Sequence, residues 1–271
     1  MFSIQFKEAK KITENYNVPL YSILLLEEDS HFSVNFVEYI TKEKSILFLS
    51  PYQTLKWHNT TSSKVKLLQF HGDFYCIEFQ KDEVACNGLL FNNVYLQPYI
   101  TLDKVVFDEI SELLTKMEKE VKVNKRFSSS VLKSYLQLIL AICSNEKDHQ
   151  LGSTPSLKSN NNDLFMLQEM LELHFREERN PSFYANKLTM SPSSFSKKVK
   201  YRFKKTPTQL IQERVILEAK KLLHLTHKTV KEVALELNFD DEFYFSRYFK
   251  KEVGLSPTHF REEVGISIVA K

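Results

Sequence analysis

Cationic and hydrogen-bonding side chains recur at helical spacing in the last third of the chain. In the stretch NFDDEFYFSRYFKKEVGLSPTHFRE, from Asn238 to Glu262, Arg247, Lys250 and Lys251 stand among phenylalanines and tyrosines. A guanidinium can donate two parallel hydrogen bonds to one guanine edge, and an ammonium can neutralise a phosphate. An aromatic core beneath such a surface is therefore typical of a helix that is presented to nucleic acid.

A second basic stretch lies further upstream. Lys187 to Lys205 holds seven basic residues and no acidic one. Residues 163–271 carry 19 Lys and Arg against 15 Asp and Glu, whereas residues 1–147 carry 17 against 18. Positive charge is thus concentrated in the C-terminal part, which favours an anionic partner. A solvated lysine face is the alternative interpretation of such a run.

The residues from Thr229 to Gly254 predict two helices joined by a tight turn. Thr229 has capping-box spacing to Glu232, and Asn238 can take the left-handed conformation that ends a helix. The second helix would bury its aromatic residues and expose polar ones: Glu242, Ser246, Arg247 and Lys250. This arrangement is the helix-turn-helix, in which a first helix braces a second that enters the DNA major groove.

A weaker copy of this pattern lies between Ser182 and Phe203. Its second helix would expose Ser193, Ser196, Lys197 and Lys200. The Thr206-Pro207 pair marks the start of a helix that would run to Leu225 and connect the two copies. Two copies joined by one helix are a far more specific signal than a single copy.

The second copy resembles the AraC/XylS family of bacterial transcription regulators. The family pattern is A-x-x-x-G-F-x-D-x-x-Y-F-x-R-x-F-K-K-x-x-G-x-S-P-x-x-[YF]-R. The matching residues are, in order, Ala234, Phe239, Asp241, Tyr244, Phe245, Arg247, Phe249, Lys250, Lys251, Gly254, Ser256, Pro257, Phe260 and Arg261. Asn238 and Lys204 stand where the family usually has glycine. The resemblance covers residues 163–263.

The resemblance implies a sequence-specific DNA-binding transcription regulator, an effector-responsive activator that inserts two recognition helices into adjacent major grooves. Its partners would be double-stranded DNA, RNA polymerase, a second copy of the chain and a small-molecule effector that the sequence does not identify. The expected DNA-contacting residues are Ser193, Ser196, Lys197, Lys200, Lys205, Glu242, Ser246, Arg247, Lys250 and Lys251. Of these, Lys197 and Arg247 are expected at base edges, and Lys205 and Lys251 at phosphates.

The N-terminal part reads as short strands followed by two helices. The predicted strands are YSILLLEE, FSVNFVEYI, SILFLSP, KVKLLQF and FYCIEF, which at this spacing indicate a β-barrel or sandwich. This pattern is similar to the cupin-like sensor of the same family, in which two following helices serve for dimerisation. Apolar stripes predict those helices over 102–117 and 131–142.

The expected fold class is therefore α+β with two domains. Residues 1–147 would form a cupin-like sensor and dimerisation domain, and the polar segment 148–162 a linker. Residues 163–271 would form an all-α domain of seven short helices that contains both helix-turn-helix motifs.

The sequence leaves two other functional classes open. A cupin-type enzyme would hold a metal ion with a close pair of histidines, whereas His31, His58 and His71 are spread singly. The sequence has no glycine-rich phosphate loop and no G-x-S-x-G motif. We therefore expect no enzymatic activity, metal or cofactor. A protein-interaction module with a solvated basic helical domain is the other alternative.

Cysteine use and hydropathy favour a cytoplasmic protein that is associated with the bacterial nucleoid. Cys76, Cys86 and Cys143 are odd in number and form no C-x-x-C pair, so they predict reduced thiols. The longest apolar runs are too short to cross a bilayer, and the first residues have no apolar core of a secretory signal.

Overall fold

The computed structural model describes residues 2–8, 12, 16–35, 37–59, 64–75, 89–91, 93–153 and 162–264. The chain divides into two compact units. The N-terminal unit is Met1–Asn93 with Gln97–Leu151, and the C-terminal unit is Val94–Leu96 with Gly152–Lys271. Among the described residues, the first unit contains all the strands and two helices, and the second contains seven helices. The predicted two-domain α+β fold is confirmed.

Eight strands form two antiparallel sheets in the described part of the N-terminal unit. They are β1 Phe2–Glu8, β2 Tyr21–Leu26, β3 Ser30–Val34, β4 Val37–Thr41, β5 Ser45–Leu49, β6 Leu55–Asn59, β7 Lys64–Phe70 and β8 Tyr99–Thr101. The larger sheet has the order β1-β7-β2-β5-β8, and the smaller has the order β4-β3-β6.

The larger sheet is buried on both faces. Residues such as Leu24 and Leu47 face the smaller sheet, and they join a core that includes Phe32 and Leu55. Alternate residues such as Ile23 belong to a second core that the following helices close. Every residue of β2 and β5 is consequently buried, which explains why these strands are almost entirely apolar, with one serine each.

The strand prediction was right in type and incomplete in number. FSVNFVEYI forms two strands, because Asn35 takes a left-handed turn with φ 49° between them. The sequence prediction did not include β1, β6 and β8, of which β6 and β8 are short, whereas β1 alternates apolar and polar residues (FSIQFKE) as a strand does. Phe74 and Tyr75, at the start of the predicted strand FYCIEF, lie in a turn, and the rest of that segment falls outside the described residues.

Two long helices pack on the outer face of the larger sheet. They are α1 Lys104–Val123 and α2 Ser128–Ser153. Cys143 is buried on α2, and burial raises the pKa of its thiol. Cys76 and Cys86 lie outside the described residues. Because α2 continues to Ser153, the first residues of the predicted linker are helical, and residues 154–161 lie outside the described part.

Seven helices form the described C-terminal unit, as the sequence predicts. They are α3 Asn162–His174, α4 Pro181–Lys187, α5 Pro192–Phe203, α6 Pro207–Leu225, α7 Val230–Glu236, α8 Glu242–Val253 and α9 Pro257–Val264. Five of these helices begin at an N-cap residue whose side chain accepts a hydrogen bond from an N–H group of the first turn. These residues are Asn180, Ser191, Thr206, Thr229 and Asp241. These caps explain why the starts of these helices could be read from the sequence.

Helix α6 is the centre of this unit. It contacts α4, α5, α7, α8 and α9. Its buried residues follow helical spacing, with Val215, Ala219 and Leu223 at most 1% exposed. The small side chain of Ala219 allows close approach of the surrounding helices. The other helices of the unit are therefore held in place by their packing against one rod.

Helices α5 and α8 end in the same backbone geometry with different residues. Lys204 (φ 58°) and Gly254 (φ 90°) are both left-handed, and their N–H groups donate to the carbonyls of Lys200 (3.0 Å) and Lys250 (2.9 Å). A left-handed conformation costs an L-residue about 1–2 kcal/mol, whereas glycine adopts it freely. The absence of glycine at Lys204 thus does not change the path of the chain.

Exchanging the residue types at these two positions should have opposite effects on stability. We expect Lys204→Gly to raise the free energy of unfolding by about 1 kcal/mol and Gly254→Lys to lower it by a similar amount. Urea unfolding of the full chain, followed by circular dichroism, measures both. A stability loss in Lys204→Gly would contradict the assigned left-handed conformation at this position.

Candidate nucleic-acid interface

The turn between α7 and α8 has the geometry that the sequence predicts. The N–H of Phe239 donates to the carbonyl of Ala234 (2.9 Å), and the N–H of Asn238 donates to that of Leu235 (2.9 Å). Asn238 is left-handed with φ 56°. These two bonds make a Schellman motif, which satisfies carbonyl groups at the end of a helix and redirects the chain.

The turn between α4 and α5 repeats this motif with an unexpected residue. Met190 donates to Ala185 (2.9 Å) and Thr189 to Asn186 (3.0 Å), and Thr189 has φ 54°. A β-branched residue is rare in the left-handed region, so the sequence contains no signal for this turn. The two helix pairs therefore share one backbone geometry although their turn sequences differ.

An aromatic cluster fixes α8 from below. The ring of Phe245 lies 5.1 Å from that of Phe239 and 6.0 Å from that of Phe249, and Phe249 lies 5.5 Å from Phe260 on α9. All four residues are at most 3% exposed. The prediction that the conspicuous aromatic residues form a core beneath a cationic surface is thus confirmed for these four.

The outer faces of α5 and α8 carry matching rows of exposed residues. At positions i, i+4 and i+7, side chains lie on one face of a helix. The α5 stripe consists of Ser193, Lys197 and Lys200, and the α8 stripe consists of Phe243, Arg247 and Lys250. All six residues are exposed. In contrast, Phe195, two positions after Ser193, and Phe245, two positions after Phe243, are buried.

The predicted DNA-contacting residues occupy three environments. Those exposed are Ser193, Lys197, Lys200, Arg247, Lys250 and Lys251. Ser196, Glu242 and Ser246 are half-buried at the side of their helices, because they lie nearer the core than the stripes do. The three half-buried residues thus border the surface that the exposed ones form.

Lys205 is in the third environment. Its side chain is 7% exposed, and its ammonium lies 2.6 Å from a carboxylate oxygen of Glu213 and donates to the carbonyl of Val94 at 2.8 Å. Burial raises the pKa of Glu213, and the charge of Lys205 opposes that shift. Lys205 therefore anchors the segment Val94–Leu96 to the C-terminal unit, and this placement does not offer it to a phosphate.

Three exposed aromatic residues on these helices are missing from the predicted DNA-contacting residues. Phe243 and Tyr244 on α8 are 67% and 53% exposed, and Tyr201 on α5 is 81% exposed. Phe243 occupies the place in the α8 stripe that Ser193 occupies in the α5 stripe. Aligning the two copies residue by residue would have found it, whereas a search for polar side chains passed over it.

Arg179 supports the turn of the second copy. Its guanidinium donates hydrogen bonds to the carbonyls of Leu237 and Asn238 and stacks on the ring of Phe239 at 3.7 Å. Burial lowers the pKa of Arg179. The guanidinium thus satisfies the carbonyls at the end of α7 and helps to fix the direction in which α8 leaves the turn.

An ionic network fastens α3 and the residues that follow it to α6, and Glu172 of α3 pairs with Arg214 of α6 at 2.8 Å. Glu218, 6% exposed, accepts hydrogen bonds from Arg176 (2.9 Å) and Arg214 (3.1 Å). Burial acts to raise the pKa of Glu218, but the charge and hydrogen bond of Arg214 outweigh it and hold the pKa below the ordinary value. Glu218 is an acidic residue that Arg247 could be expected to pair with. In the structure its carboxylate instead binds Arg176 and Arg214.

The similarity to known helix-turn-helix domains extends beyond the pattern from Ala234 to Arg261. Residues 184–263, from α4 to α9, match the family model described as a helix-turn-helix domain. The C-terminal domain is a DNA-binding helix-turn-helix domain of the AraC/XylS type. The resemblance predicted from the sequence is confirmed for this domain.

Curated proteins similar to this chain are named as activators. The HTH-type transcriptional activator RhaS of Escherichia coli O1:K1 / APEC is 24% identical over 158 residues, which is 58% of this chain and 55% of RhaS. RhaS of Enterobacter sp. (strain 638) is 24% identical over 162 residues, 59% of this chain and 56% of the relative. The match spans about half the length of these relatives.

Two solved structures show similarity over different shares of the chain. The DNA-binding domain of AdpA, in complex with a target DNA, is 23% identical with a TM-score of 0.35, covering 37% of this chain and 90% of that one. ToxT from Vibrio cholerae O395 is 13% identical with a TM-score of 0.41, covering 97% of this chain and 94% of that one.

The described residues also bear on metal binding and on membrane crossing. No group of three or more His, Cys, Asp or Glu side chains within them could hold a metal ion. His31 and His58 are nevertheless not isolated, since their rings lie 4.8 Å apart on β3 and β6 and His31 lies 3.6 Å from Glu38. In the same part of the chain, no helix is both long and apolar enough to cross a membrane.

Proposed function

We propose that this protein is a sequence-specific DNA-binding transcription regulator that acts as an activator. One observation carries the proposal: α5 and α8 present matching exposed stripes and are both packed against the single helix α6. We call α5 and α8 the reading helices. The names of the curated relatives support an activator rather than a repressor.

The length of α6 supports the use of two adjacent major grooves. Its 19 residues correspond to about 28 Å at 1.5 Å per residue. Major-groove faces on one side of B-DNA repeat every ~34 Å. Side-chain reach at both ends makes up the difference, so one chain would contact two subsites about 10 base pairs apart on one face of the duplex.

The exposed side chains divide into base-reading and phosphate-binding groups. Arg247 and Lys197 occupy the middle of their stripes, where bidentate or single hydrogen bonds to guanine suit their chemistry. Lys251 lies beside the α8 stripe in the last turn of that helix, where an ammonium would contact the DNA backbone. Lys205 is not included, because Glu213 and Val94 hold its ammonium.

The N-terminal unit is assigned sensing and self-association. Helix α2 exposes apolar side chains on one side: Phe127, just before it, and Val131 and Leu138 within it are 67%, 37% and 45% exposed. An exposed apolar helix surface favours contact with a second copy of the chain. The proposal further includes an effector bound by the sheets, RNA polymerase as partner of the DNA-bound protein, and a place in the cytoplasm at the nucleoid.

Arginine and lysine variants separate base reading from phosphate binding. The probe is a duplex that the protein selects from a randomised library. We expect Arg247→Ala to weaken the free energy of binding to it by about 1–3 kcal/mol and to relax the base preference at one or two positions. Lys251→Ala should weaken selected and random duplexes alike and reduce the salt slope by about one phosphate contact. Fluorescence anisotropy at several salt concentrations measures both.

Lys119→Ala, an exposed substitution on α1, is the matched control and should leave DNA binding unchanged. Equal losses of Arg247→Ala on selected and random duplexes would refute its base-reading role. Absence of salt-dependent duplex binding by the folded protein would instead favour a protein-interaction module.

Changing the spacing between subsites tests the rigid connection. Inserting about 5 base pairs turns the second subsite half a turn away, and we expect affinity to fall to that of one subsite. A full-turn insertion should not restore binding, because a continuous helix cannot stretch. Undiminished binding to the half-turn duplex would contradict the use of two grooves by one chain while leaving the fold unaffected.

A further inference from the structure

Phe243 exposes an aromatic ring in the first turn of α8. It is 67% exposed, whereas Phe245 and Phe249 on the same helix are fully buried. Its neighbour Tyr244 is 53% exposed and lies 5.8 Å from the ring of Phe239, so part of Tyr244 rests on the domain core. Phe243 points instead along the row of Arg247 and Lys250, at helical positions i, i+4 and i+7.

The internal repeat gives this position a defined place. Ser193 leads the α5 stripe as Phe243 leads the α8 stripe, and each is the second residue of its helix after the cap. The backbone geometry of the two turns is the same. The two reading helices thus differ in the chemistry of their leading residue, which is a hydroxyl in α5 and an apolar ring in α8.

The apolar ring of Phe243 restricts which base it can contact favourably in the subsite bound by α8. Base edges in the major groove are hydrogen-bonding groups, except that thymine presents its 5-methyl group. A phenyl ring cannot satisfy a donor or acceptor, but it gains from contact with a methyl group, since both leave water. Arg247, one helical turn further on, favours the O6 and N7 atoms of a guanine.

We propose that Phe243 is a specificity-determining residue that packs on the 5-methyl group of a thymine. The thymine lies in the subsite bound by α8, within about two base pairs of the guanine that Arg247 contacts, because one helical turn of ~5.4 Å spans less than two base-pair steps. This inference rests on the proposed DNA-binding function and adds to it the identity of one base.

Replacing thymine by deoxyuridine removes the methyl group and nothing else, and this substitution provides the test. The probe is the duplex that the wild-type protein selects from a randomised library. We expect deoxyuridine at one position of the α8 subsite to weaken wild-type binding about fourfold, the value of one buried methyl group. Phe243→Ala should bind the thymine duplex about as weakly as wild type binds the deoxyuridine duplex.

The decisive result is the coupling between the two changes. Phe243→Ala should not distinguish thymine from deoxyuridine at that position, and Phe243→Leu should retain part of the difference. Deoxyuridine in the α5 subsite, opposite Ser193, is the matched control, and its effect should be the same in wild type and Phe243→Ala.

Three outcomes separate this inference from the proposed function. Wild-type protein that selects a site but is indifferent to deoxyuridine at every thymine of the α8 subsite would overturn the inference and leave the function standing. An equal thymine preference in wild type and Phe243→Ala would also overturn it. Failure of the folded wild-type protein to select any site would reject the function itself.

Discussion

The packing of both reading helices against α6 is the constraint on which the account depends. α6 is continuous from Pro207 to Leu225 and packs against α4, α5, α7, α8 and α9 in the described C-terminal unit. A capping box at Thr206 fixes where it begins, and buried apolar residues along its length leave no hinge. The distance between the reading helices is therefore set by the protein before it meets DNA, which lowers the entropic cost of binding both grooves.

Around this rod the chain repeats one backbone geometry and varies the side chains that it presents. Both turns are Schellman motifs, at Thr189 and Asn238, and both second helices end in a left-handed residue. The stripes differ, with Ser193 and Lys197 on α5 against Phe243 and Arg247 on α8. Two similar scaffolds thus offer two different readouts, and this difference makes the expected DNA element asymmetric.

The C-terminal domain was predictable from sequence wherever local chemistry decides the conformation. Thr206 and Pro207 fix the start of α6, and Asn238 tolerates the left-handed turn. The prediction that Lys205 contacts a phosphate failed because its placement depends on residues outside its own segment. Nothing next to Lys205 indicates that Glu213 and the carbonyl of Val94 bind its ammonium. Thr189 was missed because its left-handed conformation, which accompanies the backbone hydrogen bonds of the turn, runs against its intrinsic preference.

The N-terminal unit was less predictable for a related physical reason. Strands buried on both faces, such as Tyr21–Leu26, are almost entirely apolar and were found, whereas Leu55–Asn59 has only two apolar residues and is stabilised by pairing with β3. The exposure of Phe243 at the candidate site could likewise not be predicted from the sequence. Composition marks phenylalanine as a core residue, and only the fold shows which phenylalanine of the aromatic-rich helix is exposed.

The most direct test of the account is a hydroxyl-radical footprint of the full-length protein on a duplex carrying one selected site. Because α6 holds the reading helices rigidly, each bound chain should protect two patches of the backbone, about 10 base pairs apart and on the same face of the helix. Both patches should appear at the same protein concentration. A single protected patch per chain, or two patches that fill at different concentrations or lie on opposite faces, would contradict the account.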